Sequence, residues 1–382
     1  MAKNGPGANE PSLNASAVPK NTGTAAAVRL KGLARRNHSS KTCRLVGFIV
    51  RPIVERVRGF CNRSAHHYCC NLKPIVVEPA VVEAERSSGL ASSYLRLVRP
   101  KQWTKNGFVL AGVVFAEKAF STTAVASALL AFAVFCALSG AVYAANDVLD
   151  VEEDRKHPLK RFRPVASGEI SPSSALVFAA VLATGALALS FTVLPYEVGI
   201  AGVAYLVLQI FYTTILKHAA ILDVMSISAG FVIRALAGVA AVSSPISPWL
   251  IVCTGLLTLF LGFSKRRHEI ATLGEGAVVH RKNLRDYSVP MLDEMMNIMI
   301  SATIIAYTLY TFTVYERQDQ IFMMGSIPFV VYGVFRYMLL VHRDGGGNPD
   351  TLLLSDRPLQ IALFLWLVVV GTVIYVIPLW NG

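Results

Sequence analysis

The chain has 382 residues, of which 54% are hydrophobic and only 16% charged, with a mean hydropathy of +0.50. Soluble domains carry about 25% charged residues, so this composition excludes an ordinary soluble protein and, for most of the chain, intrinsic disorder. The net charge of +12 is uneven: residues 1–90 hold 14 basic against five acidic residues, whereas residues 91–382 hold 22 against 19. A nucleic-acid reading of the global charge therefore loses its force, and no base-reading motif accompanies it.

Residues 1–90 form a separate compositional unit, expected to be a poorly ordered basic extension. Glu10 is the only acid before Glu55, while Arg, Lys, Ser, Ala and Asn are frequent. Acid-poor, Arg- and Ser-rich N-termini suit organellar transit peptides. A variable extension of a bacterial protein fits the same composition. The six cysteines show neither paired zinc spacing nor a disulfide framework, although Cys61, Cys69 and Cys70 cluster near His66 and His67.

Nine apolar segments follow, at about 106–118, 122–144, 173–194, 198–216, 221–242, 247–264, 292–315, 321–341 and 359–379. Most approach the ~20 residues a helix needs to cross a bilayer core. Only helices and closed barrels satisfy their backbone groups in lipid, and the alternating ten-residue pattern of a barrel is absent. The predicted fold class is all-α, a polytopic bundle of nine transmembrane helices over residues 91–382. Basic residues concentrate in the connections after the second, fourth, sixth and eighth segments. The positive-inside rule puts those connections and the N-terminus on the cytoplasmic, stromal or matrix side. The chemically suggestive residues share that side.

The second segment runs into Asn146-Asp147-Val148-Leu149-Asp150-Val151-Glu152-Glu153-Asp154-Arg155. At ~100° per residue, Asp147, Asp150 and Asp154 share one helix face and Glu152 lies on the other side. Three like charges on one stripe call for a cation, and a hard divalent ion such as Mg²⁺ takes oxygen ligands and completes its shell with water and phosphate. The run Arg155, Lys156, Lys160, Arg161 and Arg163 follows directly. Acids that hold Mg²⁺ beside cations that hold phosphate predict a diphosphate site.

That stretch resembles the first Asp-rich motif, N-D-x-x-D-x-x-x-D, of the UbiA prenyltransferase superfamily. Five further blocks are similar to its decaprenyl-phosphate phosphoribosyltransferase branch. They are Arg99 to Asn106, Asp154 to Pro164, Leu216-Lys217-His218 with Asp223-Val224 and Gly230 to Gly238, Ser264 to Glu269, and Asn348-Pro349-Asp350 through Asp356 and Leu359. The resemblance implies Mg²⁺ held by Asp147, Asp150 and Asp154, phosphoribosyl diphosphate (PRPP) as donor and a polyprenyl phosphate as acceptor. Carried over residue by residue, it implies substrate contacts from Lys105, Asn106, Asn146, Lys156, Lys160, Arg161, Arg163, Tyr212, Lys217, Asp223, Lys265 and Arg266. The membrane would be a bacterial inner membrane or, with a transit peptide, that of a plastid or mitochondrion; oligomeric state is left open.

The residues agree with that demand in number. PRPP needs cations at two ends and the acceptor phosphate needs a third patch. The chain offers Lys101 with Lys105, Arg155 to Arg163, and Lys265 to Arg267. One departure concerns the second motif, usually D-x-x-x-D, where Asp223 is followed by Ile227 instead of an acid. Asp223 is read either as a ribose ligand or as sharing one metal. Arg234 lies inside an apolar segment, where a charge is costly and marks function or a buried partner. The competing readings are an aromatic prenyltransferase of the same superfamily and, from another class, a lipid or small-molecule transporter.

Overall fold

The computed structural model describes residues 89–273, 282–313, 317–343, 352 and 355–377. The N-terminal extension with its cysteine–histidine cluster and the Asn348-Pro349-Asp350 stretch lie outside the described residues. The described residues are helical throughout, without strands.

A short helix α1 (Leu90–Leu97) leads through a 3₁₀ helix (Pro100–Gly107) into α2 (Phe108–Phe115). Then come α3 (Thr122–Leu149), α4 (Val151–Lys156), α5 (Pro172–Val193), α6 (Tyr196–Thr214), α7 (Leu222–Ala241) and α8 (Pro248–Leu273). After these follow α9 (Val289–Thr313), α10 (Arg317–Met324), α11 (Ile327–Arg343) and α12 (Arg357–Gly371). The starts are written in the sequence: Ser121 and Ser171 accept from the amides of Ala124 and Ser174, and Asp356 accepts from that of Leu359 at 2.9 Å. Pro172 and Pro358 stand in the first turns of α5 and α12, where a missing N–H costs nothing.

Among the described residues eight helical stretches are long and apolar enough to cross a bilayer, and the chain is a multi-pass membrane protein. The first apolar segment is built differently. Eight residues of α-helix, rising ~1.5 Å per residue, cover about 12 Å, less than a hydrocarbon core, and the eight residues of 3₁₀ helix before them are mostly polar. Its α-helical part stops at Phe115, just before Glu117 turns to a φ of 59°.

Burial separates central from peripheral helices. About half of the most apolar stretch of α3 and of α7 is buried (50% and 56%), against 17% for α5 and 22% for α6. The outer faces carry Leu, Ile, Val and Phe side chains that only lipid tails would solvate. The tightest crossing joins α2 to α7. A Cβ added at Gly238 would overlap the backbone carbonyl of Val109, and one at Gly112 would overlap the backbone at Gly238. Small residues let membrane helices touch backbone to backbone, the contact that replaces hydrophobic driving force in lipid. Arg234 seals the same contact. Its guanidinium donates to Asn106 Oδ1 (2.7 Å), the Gly230 carbonyl (2.8 Å) and the Tyr205 hydroxyl (3.0 Å), and stacks over the Tyr205 ring. Asn106 in turn donates to Ser139 Oγ on α3.

Gly238→Ala should therefore push α2 from α7 and destabilise the protein by about 1–3 kcal/mol, the usual cost of overpacking. Gly185→Ala, with open space around it, should be neutral or slightly stabilising. Thermal unfolding in detergent distinguishes the two.

Candidate active site

The polar groups gather where α3 ends, α7 begins, α8 ends and α9 begins. Helix α3 stops at Leu149 and α4 starts at Val151, with Asp150 between them. The helical phase survives the break, because the Asp150 amide donates to the Asn146 carbonyl (2.9 Å) and the Asp154 amide to that of Asp150 (2.8 Å). Asp147 and Asp154 therefore remain on one face and are buried, at 2% exposure each; Asp150 is partly exposed.

The loop behind α4 folds back onto this face. Arg163 bridges the two acids, 3.2 Å from Asp147 Oδ1 and 2.5 Å from Asp154 Oδ2. Arg99 pairs with the same Asp147 oxygen from the other side and lies over the Tyr143 ring. Lys160 stands 4.0 Å from Asp154. Arg99 adopts a φ of 51°, a region non-glycine residues rarely enter. Strain of that kind persists only where the surroundings enforce it, and the ion pair to Asp147 supplies part of that enforcement. Glu152 is exposed and pairs with Arg155 at 2.8 Å, on the far side as the helical spacing predicts.

A second cluster forms around Asp223, at the start of α7. Arg266 from α8 places its Nε 2.8 Å from Asp223 Oδ2, and both side chains are essentially inaccessible. Arg266 also pairs with Glu269 at 2.5 Å. Tyr287, just before α9, donates to Asp223 Oδ1 (2.9 Å) and accepts from the Ile221 amide (2.5 Å). Burial first, and the Asp223 charge with it, push the Tyr287 hydroxyl up to about 12, so it remains a donor at working pH. Ile221 has a φ of 68°, a costly conformation for a β-branched residue. The two clusters are linked: Thr213 on α6 donates to Asn146 Oδ1 at 3.2 Å, and its neighbour Tyr212 lies within electrostatic reach of Arg266.

Four buried polar atoms among the described residues make no aligned hydrogen bond: Asp223 Oδ2, Arg266 Nε and both amide atoms of Asn283. The Asp223–Arg266 contact is thus a close ion pair with poor hydrogen-bond geometry. Such unpaired groups typically cost about 1–3 kcal/mol each.

The structure brings together Asp147, Asp154 and Arg163, with Lys160 at the edge, and separately Asp223 and Arg266. Lys156, Lys160 and Arg161 are exposed at the mouth, with Arg161 over the Phe162 ring. Lys105, Lys217 and Lys265 are partly exposed. The third cation patch expected from Lys265 to Arg267 is largely spent inside the protein. Arg266 answers Asp223 and Glu269, and Arg267 answers Asp293 at 2.5 Å. Asn106 is fully buried, its amide committed to Arg234, Ser139 and Cys136. Sequence reasoning passed over Arg99 and Tyr287, which the fold brings to Asp147 and Asp223. Arg99 stood inside a motif block, whereas Tyr287 had no signal.

Among the described residues no three His, Cys, Asp or Glu side chains converge closely enough to hold a metal on their own. The donor set around Asp147 nevertheless suits a hard cation. Two buried carboxylates turn toward one positive charge, now a guanidinium, and Asp150 and the Asn146 amide oxygen are adjacent in sequence.

The UbiA prenyltransferase family profile matches residues 107–368, and the chain belongs to that family. Within it the chain falls in the branch of the decaprenyl-phosphate phosphoribosyltransferases and is a membrane-bound transferase. It is 34% identical over 313 residues to the Mycolicibacterium smegmatis protein of that name, covering 77% of this chain and 97% of the relative. The Mycobacterium tuberculosis protein of the same name is 32% identical, covering 77% and 98%. Among solved structures, a UbiA homolog from Archaeoglobus fulgidus bound to DMAPP and Mg²⁺ has the same fold (TM-score 0.56, 18% identity, 74% of this chain and 99% of that one).

Helix α1 is fastened beside this site by Glu169, which accepts from Ser93 at 2.6 Å and pairs with Arg96. The Ser93 hydrogen bond chiefly, and the Arg96 charge, hold its carboxyl below the usual 4.5. A carboxyl depressed on folding stabilises the fold above its unfolded pKa and loses that contribution as pH falls through the folded value. The unfolding temperature of Glu169→Gln should thus lie below wild type by a constant gap above pH about 5, and that gap should close at more acid pH. A pH series of melting curves checks it.

Proposed function

We propose that this chain transfers a 5-phosphoribosyl group from PRPP to a polyprenyl phosphate, with Mg²⁺, at the cytoplasmic or stromal face of its membrane. The basic connections would face that compartment, in a bacterial inner membrane or in an organelle reached through the N-terminal extension. The observation that carries this reading is the convergence of Asp147 and Asp154 on one cation at the polar end of a lipid-embedded bundle. The near full-length likeness to proteins named for this reaction supports the donor.

In the reaction the acceptor phosphate oxygen bonds to the anomeric carbon of the ribose while the bond to the diphosphate breaks. The acceptor oxygen is already anionic, so no general base is required. Charge develops on the departing diphosphate. Mg²⁺ held by Asp147, Asp154 and Asp150 would neutralise it as a Lewis acid. Arg163 orients both buried carboxylates beforehand, and Arg99 adds a second cation at Asp147. Lys156, Lys160 and Arg161 present mobile cations to phosphate groups at the mouth, and their hydrogen bonds strengthen as charge accumulates. Tyr212 at the end of α6 and Lys217 just after it would line the approach, with Asp223 buried at the start of α7 and Asn146 tied to α6 through Thr213. The lipid tail stays between helices, and its phosphate meets the donor at the interface, so that positioning supplies much of the remaining acceleration.

Asp150→Ala should lower turnover by about 10²-fold or more, the usual scale for losing a group that neutralises transition-state charge, while the melting temperature stays unchanged. Asp147→Ala should abolish activity with some loss of stability, because it leaves Arg99 and Arg163 unpaired. Chelation with EDTA should stop the reaction and added Mg²⁺ restore it. Membranes supplied with radiolabelled PRPP and polyprenyl phosphate should label the lipid. Turnover of a prenyl diphosphate with an aromatic acceptor, and none of PRPP, would overturn the proposal.

A further inference from the structure

We infer that the Asn283 amide, beside the Asp223–Arg266 pair, is a receptor for a sugar hydroxyl and a specificity determinant for the donor. The inference deepens the phosphoribosyl reading and rests on it. Asn283 is 2% exposed, yet neither its amide nitrogen nor its amide oxygen has a partner. It lies in a 3₁₀ helix (Lys282–Asp286) that packs against a second one (Leu216–His218) carrying Lys217. Four residues further on, Tyr287 hydrogen-bonds Asp223. Its neighbour Leu284 belongs to the same buried cluster as Val224, Phe263 and Tyr287. The Leu284 and Tyr287 anchors thus hold the Asn283 turn next to the Asp223 cluster, without an internal use for the Asn283 polar group.

The unpaired amide of Asn283 specifies what would satisfy it. Nδ2 offers hydrogens and Oδ1 needs one, whereas Asp223 Oδ2 and Arg266 Nε face each other at 2.8 Å. A diphosphate only accepts, so it would leave the Asn283 oxygen unpaired and repel the Asp223 carboxylate. A prenyl chain would satisfy neither atom. Adjacent hydroxyls on a sugar both donate and accept, and they carry no charge into a cluster whose single Arg266 already faces Asp223 and Glu269. The acid absent at Ile227 fits the same chemistry, since a hydroxyl receptor needs no second metal-binding carboxylate. A site built to hydrogen-bond a hydroxyl rejects an analogue lacking it far more strongly than an apolar pocket does.

The test compares wild type with Asn283→Leu, which keeps the volume and removes both polar atoms, and Asn283→Asp, which keeps the acceptors and removes the donor. Each is purified in detergent as the full chain and assayed with PRPP and with its 2-deoxy and 3-deoxy analogues. Asn283→Leu should raise the KM for PRPP roughly 10- to 100-fold. The KM for the polyprenyl phosphate should stay unchanged, and the melting temperature should stay equal or rise because an unpaired buried amide is gone. The variant should also lose the wild-type preference for PRPP over at least one deoxy analogue, and Asn283→Asp should fall between. An unchanged PRPP KM in Asn283→Leu, or wild type that does not distinguish the deoxy analogues, overturns this inference and leaves the phosphoribosyl reading standing. A lowered melting temperature with equal losses toward both substrates assigns Asn283 a structural role and overturns it as well. Wild type that turns over a prenyl diphosphate and not PRPP overturns both together.

Discussion

Two carboxylates buried at the end of a lipid-embedded bundle cannot stay charged without cations, and much of the polar architecture follows from that constraint. Moving an unpaired ion out of water costs many kilocalories per mole. Asp147 and Asp154 meet the requirement by sharing Arg163, and Asp147 takes Arg99 as well. The loop after α4 must therefore fold back so that Arg163 arrives, and the chain before Pro100 must accept a left-handed turn so that Arg99 does.

The contrast with Arg234 separates structural charge from chemical charge. Arg234 is buried at 6% exposure, and the Asn106 oxygen, the Gly230 carbonyl, the Tyr205 hydroxyl and two aromatic faces surround its guanidinium. Its work is to lock α7 against the segment before α2. Asp223 and Arg266 are more buried still, and they meet as an ion pair at 2.8 Å with poorly aligned atoms.

Hydropathy made the membrane helices legible, because crossing a bilayer demands ~20 apolar residues whatever the function. It was less informative for the first segment, where a polar 3₁₀ helix precedes only eight residues of α-helix. The aspartate face was legible because spacings of three and four survive the junction at Asp150. The cations of α8 were not. Lys265, Arg266 and Arg267 are consecutive, so on a helix they point about 100° apart and cannot all face one substrate. Sequence displays their charge but not the facing helix, and Arg266 and Arg267 turned out to answer Asp223 and Asp293. Arg99 was hidden for a related reason: its partner is 48 residues away, and only the fold brings them together. A lone Asn283 in a polar connection has no period to betray it.

The rigid crossing and the polar end depend on one another. Helices α3 and α7 are the most buried of the spans, and they are also the ones that carry Asp147 and Asp223. Side chains that must meet a transition state within fractions of an ångström need supports that do not drift. The backbone contact at Gly112 and Gly238, reinforced by the Asn106–Arg234 bond, fixes α7 against α2. Asn106 then reaches Ser139 on α3, two turns before Asp147. Displacement of α7 would thus pass through one continuous set of hydrogen bonds to the helix that bears the first aspartate. The small residues deep in the membrane and the hydrogen bonds that run from them toward the polar end thus tie together the two helices that carry the acidic centres.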